Sequence, residues 1–251
     1  MNVQQVNLDV IANNIANVNT TGYKRSRADF QDLMYQTLRM QGAKTESGNQ
    51  IPTGIQIGHG AMLAAVQKVH LQGDFQQTEN ELDIAVEGNG FIQILLPSGD
   101  KAYTRAGAFK KDSEGRICTP DGYLLEPSVT IPQNTTTLSI EGDGTISALV
   151  EGQTRSQQIG KLELYTFPNI TGLKAMGKSL YLETEASGAA ISGKPGEQGM
   201  GTLLQGYLEM SNVSVMQEMV NMIIGQRAYE VNSKAIQAAD EMLQMANNVR
   251  R

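Results

Sequence analysis

The feature that most constrains this chain is its C-terminal end. From Val213 through Met216, Val220, Ile224, Ala228, Val231, Ala235, Ala238, Met242, Met245 and Val249, small or apolar residues recur every three or four positions without a break. Steps of three and four put side chains on one face of an α-helix. No proline interrupts the run, and Gly225 is its sole glycine. At 1.5 Å per residue such a helix is roughly 55 Å long. That exceeds an ordinary surface helix and suits coiled-coil-like packing. The four-residue steps from Met216 to Ala228 act as a stutter that relaxes a left-handed supercoil. Ser211 and Asn212 are suitable N-caps.

The opposite end carries a narrower stripe. Leu8, Ile11, Ile15 and Val18 recur at helical spacing, with Met1 in the same register. The neighbouring positions hold amides, Asn13, Asn14, Asn17 and Asn19, rather than charges. The pattern fades at Asn19-Thr20-Thr21-Gly22, where Gly22 can end the helix. Phe30, Leu33, Met34 and Leu38 then predict a short second helical piece. Residues 40–60 are Gly- and Ser-rich and read as an extended loop or loose hairpin, with Ile55 and Ile57 alternating as in a strand. From 62 to 208 the period is near two and Gly-containing turns punctuate it, which predicts antiparallel hairpins. Asp112-Ser113-Glu114-Gly115-Arg116-Ile117 and Glu141-Gly142-Asp143-Gly144-Thr145-Ile146 resemble each other, as if one hairpin solution were reused.

The fold class is therefore α+β: long N- and C-terminal helices, coiled-coil-like and packed together, flank a mainly antiparallel β domain. The boundaries fall at 1–36 (helical), 37–61 (loop or hairpin), 62–208 (β-rich) and 209–251 (long helix).

Composition removes several function classes. The 20 Lys and Arg are outnumbered by 26 Asp and Glu, for a net charge of −6. The nearest basic cluster, Lys24-Arg25 with Arg27, is followed by Asp29 and Asp32, so no nucleic-acid footprint is visible. No stretch approaches the roughly 20 apolar residues of a membrane span, so no membrane insertion is expected. The start lacks a basic and apolar leader, so export would proceed without a cleaved signal peptide. Cys118 is the sole cysteine, which excludes an intrachain disulfide; it reads as a buried structural thiol. His59 and His70 are the two histidines and their sequence surroundings are ordinary. Glu87-Gly88-Asn89-Gly90 lacks the third glycine of a dinucleotide loop, and Asp143-Gly144 lacks a calcium loop's ligand count. No catalytic, cofactor or metal site is expected, and the chain is not read as an enzyme.

Each terminal helix has an apolar seam that two thin helices cannot cover by themselves. Lateral packing against further copies solves this, and a contact that does not close produces a helical filament or tube. Periodicity leaves two alternatives open: an intramolecular coiled-coil stalk, or a domain flanked by helices that pack on it.

Longer motifs are more specific. Ala12-Asn13-Asn14-Ile15-Ala16-Asn17-Val18-Asn19-Thr20-Thr21-Gly22-Tyr23-Lys24 resembles the N-terminal signature of flagellar rod and hook proteins. Asn80-Glu81-Leu82-Asp83-Ile84-Ala85-Val86-Glu87-Gly88-Asn89-Gly90-Phe91 is similar to that family's central motif. Tyr103-Thr104-Arg105-Ala106-Gly107-Ala108-Phe109 looks like its next block, and Gln226-Arg227-Ala228-Tyr229-Glu230-Val231-Asn232 like its C-terminal signature. The stretch from Tyr35-Gln36-Thr37 to Gly54-Ile55-Gln56-Ile57-Gly58 looks like the extra segment of the distal-rod branch. The resemblance implies a periplasmic tube of helically arranged copies that transmits torque to the hook. Its partners would be itself, other rod subunits, hook and ring proteins and the flagellar export apparatus. Leu8, Ile11, Asn13, Asn14, Ile15, Asn17, Val18, Asn19, Val213, Met216, Val220, Ile224, Ala228, Val231, Ala235, Ala238, Met242 and Met245 would form the subunit interface, and Gln41, Ile55 and Ile57 an axial contact. It also implies further residues upstream of Met1. A proximal rod subunit and a secreted non-flagellar filament protein with coiled-coil ends remain as alternatives.

Overall fold

The structure, a computed structural model, describes residues 2–40, 53–153, 155–197 and 199–249. Helix α1 spans Asn2–Ala16 and helix α2 spans Val215–Val249, with short antiparallel strands between them. The chain forms two compact units. One holds the residues up to Asn14, Ser26–Gln67 and those from Met216 onward; the other holds Ile15–Arg25 and Lys68–Val215.

The second unit is built on a seven-stranded sheet. Its order is Lys174–Gly177, Leu180–Leu182, Lys101–Thr104, Ile92–Leu95, Leu124–Glu126, Ile117–Cys118 and Lys110–Lys111. Its central strands bury consecutive residues: Ile92, Gln93 and Ile94 on one, and Ala102, Tyr103 and Thr104 on the next. Ile84, Ile92, Phe109, Leu125, Ile146 and Leu162 form the centre of one buried cluster. Phe91, Tyr103, Phe167 and Tyr181 form a second, aromatic one. At about 1.5–3 kcal/mol for each buried side chain, this unit has a core of its own.

Four of its hairpin turns use one solution. Leu96 N–H donates to Asp100 O, and Gly99 N–H donates back to Leu96 O. The same two bonds recur across 112–116, 119–123 and 141–145. The fourth residue is always glycine (Gly99, Gly115, Gly122, Gly144), with φ between 83° and 87°. This is the three-residue hairpin loop closed by a left-handed residue. It explains why the 112–117 and 141–146 segments look alike.

The first unit is leaner. Ser26–Asp32 pairs with Ala61–Lys68, and Tyr35–Arg39 pairs with Ile55–Gly58. Two expectations are corrected here. Phe30, Leu33, Met34 and Leu38 are not helical: Phe30 lies on the first of these strands and Leu38 on Tyr35–Arg39. A four-residue apolar coincidence yields to β-prone Tyr35 and Thr37 and to strand pairing, including Leu33 N–H to Gly60 O. The N-terminal helix is also short, at 15 residues. After Ala16 the bonds tighten to Val18 N–H to Ile15 O and Thr20 N–H to Asn17 O, which are turn bonds rather than helical ones. Val18, Asn17 and Asn19 therefore lie in a turn, outside α1.

Candidate assembly site at the chain ends

Helix α2 runs for 35 residues, about 50 Å. Its burial pattern is uneven. Glu218 and Gly225 are buried, while Asn221, Met222, Ala228 and Ser233 are half-buried. From Lys234 to Asn248 every side chain is exposed. Of the seam read from sequence, Val213 is buried and Ala228 half-buried, whereas Val220, Ala235, Ala238 and Met245 are exposed. Met216, Ile224, Val231 and Met242 are 61–80% exposed. The helix thus presents apolar side chains to water along nearly its whole length. Helix propensity alone does not hold such an element together.

Helix α1 approaches α2 within the first unit. A Cβ on Gly225 would stand 2.9 Å from Leu8 Cδ2, so glycine at 225 lets the two come close. Ile11 is buried; Leu8 and Ile15 are half-buried. Asn14 is buried and works as a backbone mimic. Its Nδ2 donates to Ser26 O, its Oδ1 accepts from Ser26 N–H (both 2.9 Å), and Nδ2 also reaches Glu218 Oε2 at 3.5 Å. The amide of Asn14 therefore joins a helix to a strand as well as to a helix. Asn17 Oδ1 accepts from Thr20 Oγ1 in the turn, and Asn13 and Asn19 are exposed. Gln41 lies outside the described residues; Ile55 and Ile57 sit exposed on their strand, Ile57 opposite Gln36 and Ile55 opposite Arg39.

The residues that follow α1 and precede α2 meet in the second unit, around Glu209. Its Oε1 accepts from Lys24 Nζ at 2.5 Å and from Gly73 N–H at 3.0 Å; its Oε2 accepts from Arg105 Nε at 2.9 Å. All three charged side chains are nearly or fully buried. Arg105 spends its remaining donors on the carbonyls of Val86, Gly88 and Gly90, and Lys24 Nζ also reaches Leu71 O. Burial holds the Lys24 pKa below its ordinary value, despite the opposing attraction of Glu209. Gly22 completes the contact. Its φ is +66°, its N–H donates to Glu209 O, and a Cβ there would lie 2.6 Å from Ala106 N. Asn212 has the chemistry to cap α2. Instead its side chain accepts from Arg25 N–H and donates to Val69 O and Leu71 O, and α2 begins three residues later. A bridging role for the amide displaced the capping role because three backbone groups lie within its reach.

Lys24, Arg105 and Glu209 were not singled out individually in the sequence. The available signal was a lone charge on an apolar strand, as in Tyr207-Leu208-Glu209, a pattern that points to burial with a partner. His70 likewise sits in an ordinary sequence context. It is half-buried, edge-on to Phe91 and Tyr181 at 5.9 and 5.4 Å, with its Nδ1 buried and without a hydrogen-bond partner. Burial, then the charges of Lys24, Arg105 and Lys68, lower its pKa to about 4. The Cys118 thiol is buried, with its pKa pushed up by burial first of all. Among the described residues no group of three or more His, Cys, Asp or Glu could hold a metal ion. No described helix is long and apolar enough to cross a membrane.

Comparison with known proteins converges on one family. Residues 1–24 match the flagella basal body rod protein model, 85–148 the flagellar hook protein FlgE/F/G D1 domain, and 204–249 the flagellar basal body rod FlgEFG protein C-terminal model. The flagellar basal-body rod protein FlgG of Caulobacter vibrioides is 49% identical over all of this chain and 96% of that protein. That of Borreliella burgdorferi is 48% identical, again over 100% and 96%. In Bacillus subtilis the FlgG protein is 39% identical over 98% and 94%, against 30% for the hook-basal body complex protein FlhP. By these matches across its full length, the chain belongs to the FlgG family of flagellar basal-body rod proteins.

Proposed function

We propose that this chain is a structural subunit of the distal flagellar rod and works by self-assembly into a stiff helical tube, not by catalysis. The observation that carries this reading is α2: ten of its large apolar side chains or more stand exposed, among them Val220, Ile223, Ile224, Val231, Ile236, Met242 and Leu243. Burying each is worth about 1.5–3 kcal/mol, and neighbouring copies of the same helix are the surface that fits a repeated seam of this length. The family relation supports a place in the basal body. Lateral contact would use Leu8, Ile15, Met216, Val220, Ile224, Val231, Ala235, Ala238, Met242 and Met245; Ala228, Ala235 and Ala238 allow close approach. Other rod subunits, hook and ring proteins and the flagellar export apparatus are the further partners in this reading.

The hairpin formed by Tyr35–Arg39 and Ile55–Gly58 supplies an axial contact. All nine of its strand residues are exposed, Leu38 at 60% and Ile57 at 51%. A two-stranded hairpin with no core is marginal by itself and gains from a neighbour.

Ile224→Asp tests the reading. Purified full-length variant should remain a folded particle and form no polymer under conditions where the parent chain does. Polymers of normal length from Ile224→Asp would refute the proposal. Leu38→Ser with Ile57→Ser should leave polymers that bend more in electron micrographs; unchanged straightness would remove the axial role.

A further inference from the structure

The Glu209 cluster lies beside a histidine that nothing in the proposed assembly uses. Glu209 draws together four separate stretches of chain: Gly22 and Lys24, Leu71 and Gly73, Arg105, and its own strand. Lys68 strengthens the same turn, donating to Lys24 O at 3.1 Å and lying 4.1 Å over the Tyr23 ring. The groups around His70 are therefore Lys24 from the turn after α1, Lys68 from its own stretch, Arg105 from beyond the Lys101–Thr104 strand, and Tyr181 from the adjacent strand. Tyr23 and Glu209 act on the same Tyr181 hydroxyl. Among the described residues Glu209 is the one carboxylate hydrogen-bonded to Lys24 and Arg105, and its two oxygens already accept three donors. A proton on His70 adds a further cation to a buried group of cations with no second carboxylate to receive it. Its Nδ1, which lacks a partner, would then become a buried donor with no acceptor.

We propose that the Glu209 cluster is an acid-released fastener: it holds residues 20–25 on the β body while His70 is neutral, and lets them go when His70 takes a proton. The device operates in the single chain whether or not copies polymerise. In this account Glu209 is a positioning residue and His70 its trigger.

The test is nuclear magnetic resonance of the full-length chain, at a dilution where it is monomeric, as pH is lowered from 7. The Gly22 amide and the Arg105 Nε–H report the fastener; the paired amides of Ile94 and Leu125 report the sheet. The Gly22 and Arg105 signals should shift to solvent-exposed positions while Ile94 and Leu125 hold. His70→Phe, which keeps an aromatic ring against Phe91 and Tyr181 but cannot charge, should move that transition down by at least about one pH unit. Glu209→Gln should show Gly22 released already at pH 7. An unchanged midpoint in His70→Phe, simultaneous loss of the sheet signals, or a docked Gly22 in Glu209→Gln would each overturn the proposal. Should Glu209→Gln fail to fold, the His70→Phe titration still decides.

Discussion

The two units of this molecule handle apolar and charged groups in opposite ways. In the unit of Ile15–Arg25 and Lys68–Val215, apolar side chains close on one another and even the charges are interior, with Lys24, Arg105 and Glu209 saturating each other. In the other unit the strands of the hairpin and the last turns of α2 keep their side chains in water. One unit is a finished fold and the other an unfinished surface. Stability should therefore reside in the finished unit and assembly in the unfinished one, and substitutions should separate the two.

The largest expected separation comes from Glu209→Ala. It strands two buried cations and should cost about 3–5 kcal/mol in thermal or denaturant unfolding of the monomer. Ile224→Asp, on an exposed helix face, should change that stability by no more than about 0.5 kcal/mol. Similar losses in both variants would break the comparison. Acid gives a smaller effect. His70 has its pKa depressed from 6.5 to about 4, so the unfolded chain takes up its proton first as pH falls. The stabilisation from keeping His70 neutral is complete above pH 6.5 and is lost as pH drops toward 4. The amount is about 2–3 kcal/mol, allowing for the ring's partial exposure. His70→Phe should flatten that part of the stability profile measured by denaturant titration. Gly225→Ala should have the smallest effect. Alanine favours the helix by about 1 kcal/mol, but its methyl would meet Leu8 Cδ2, the end of a flexible side chain. The two offset, so helicity melts should move little; a large loss would mean that the α1–α2 approach tolerates no adjustment.

Much of this architecture was legible from residue spacing. The threes and fours from Val213 onward gave α2, and the recurring Gly turns gave the hairpins, because both signals are local and repeated. Where the signal was short it misled. Phe30, Leu33, Met34 and Leu38 mimic a helical face, yet pairing with distant chain decides their state: Gly60 for Leu33 and the Ile55–Gly58 strand for the stretch that holds Leu38. Asn212 has the chemistry of a cap, but its partners, Arg25, Val69 and Leu71, are brought to it only by the fold. The Glu209 cluster was hidden for the same reason: its members lie up to 185 positions apart, and no periodicity links Lys24 to Glu209.

Amide hydrogen exchange on the full-length chain, first as a monomer and then as a polymer, tests the division of labour most directly. Residues 234–248 should exchange rapidly in the monomer and become protected in the polymer, while the strands of the seven-stranded sheet stay protected throughout. A helix already slow to exchange in the monomer, or a sheet that gains its protection on polymerisation, would contradict the account.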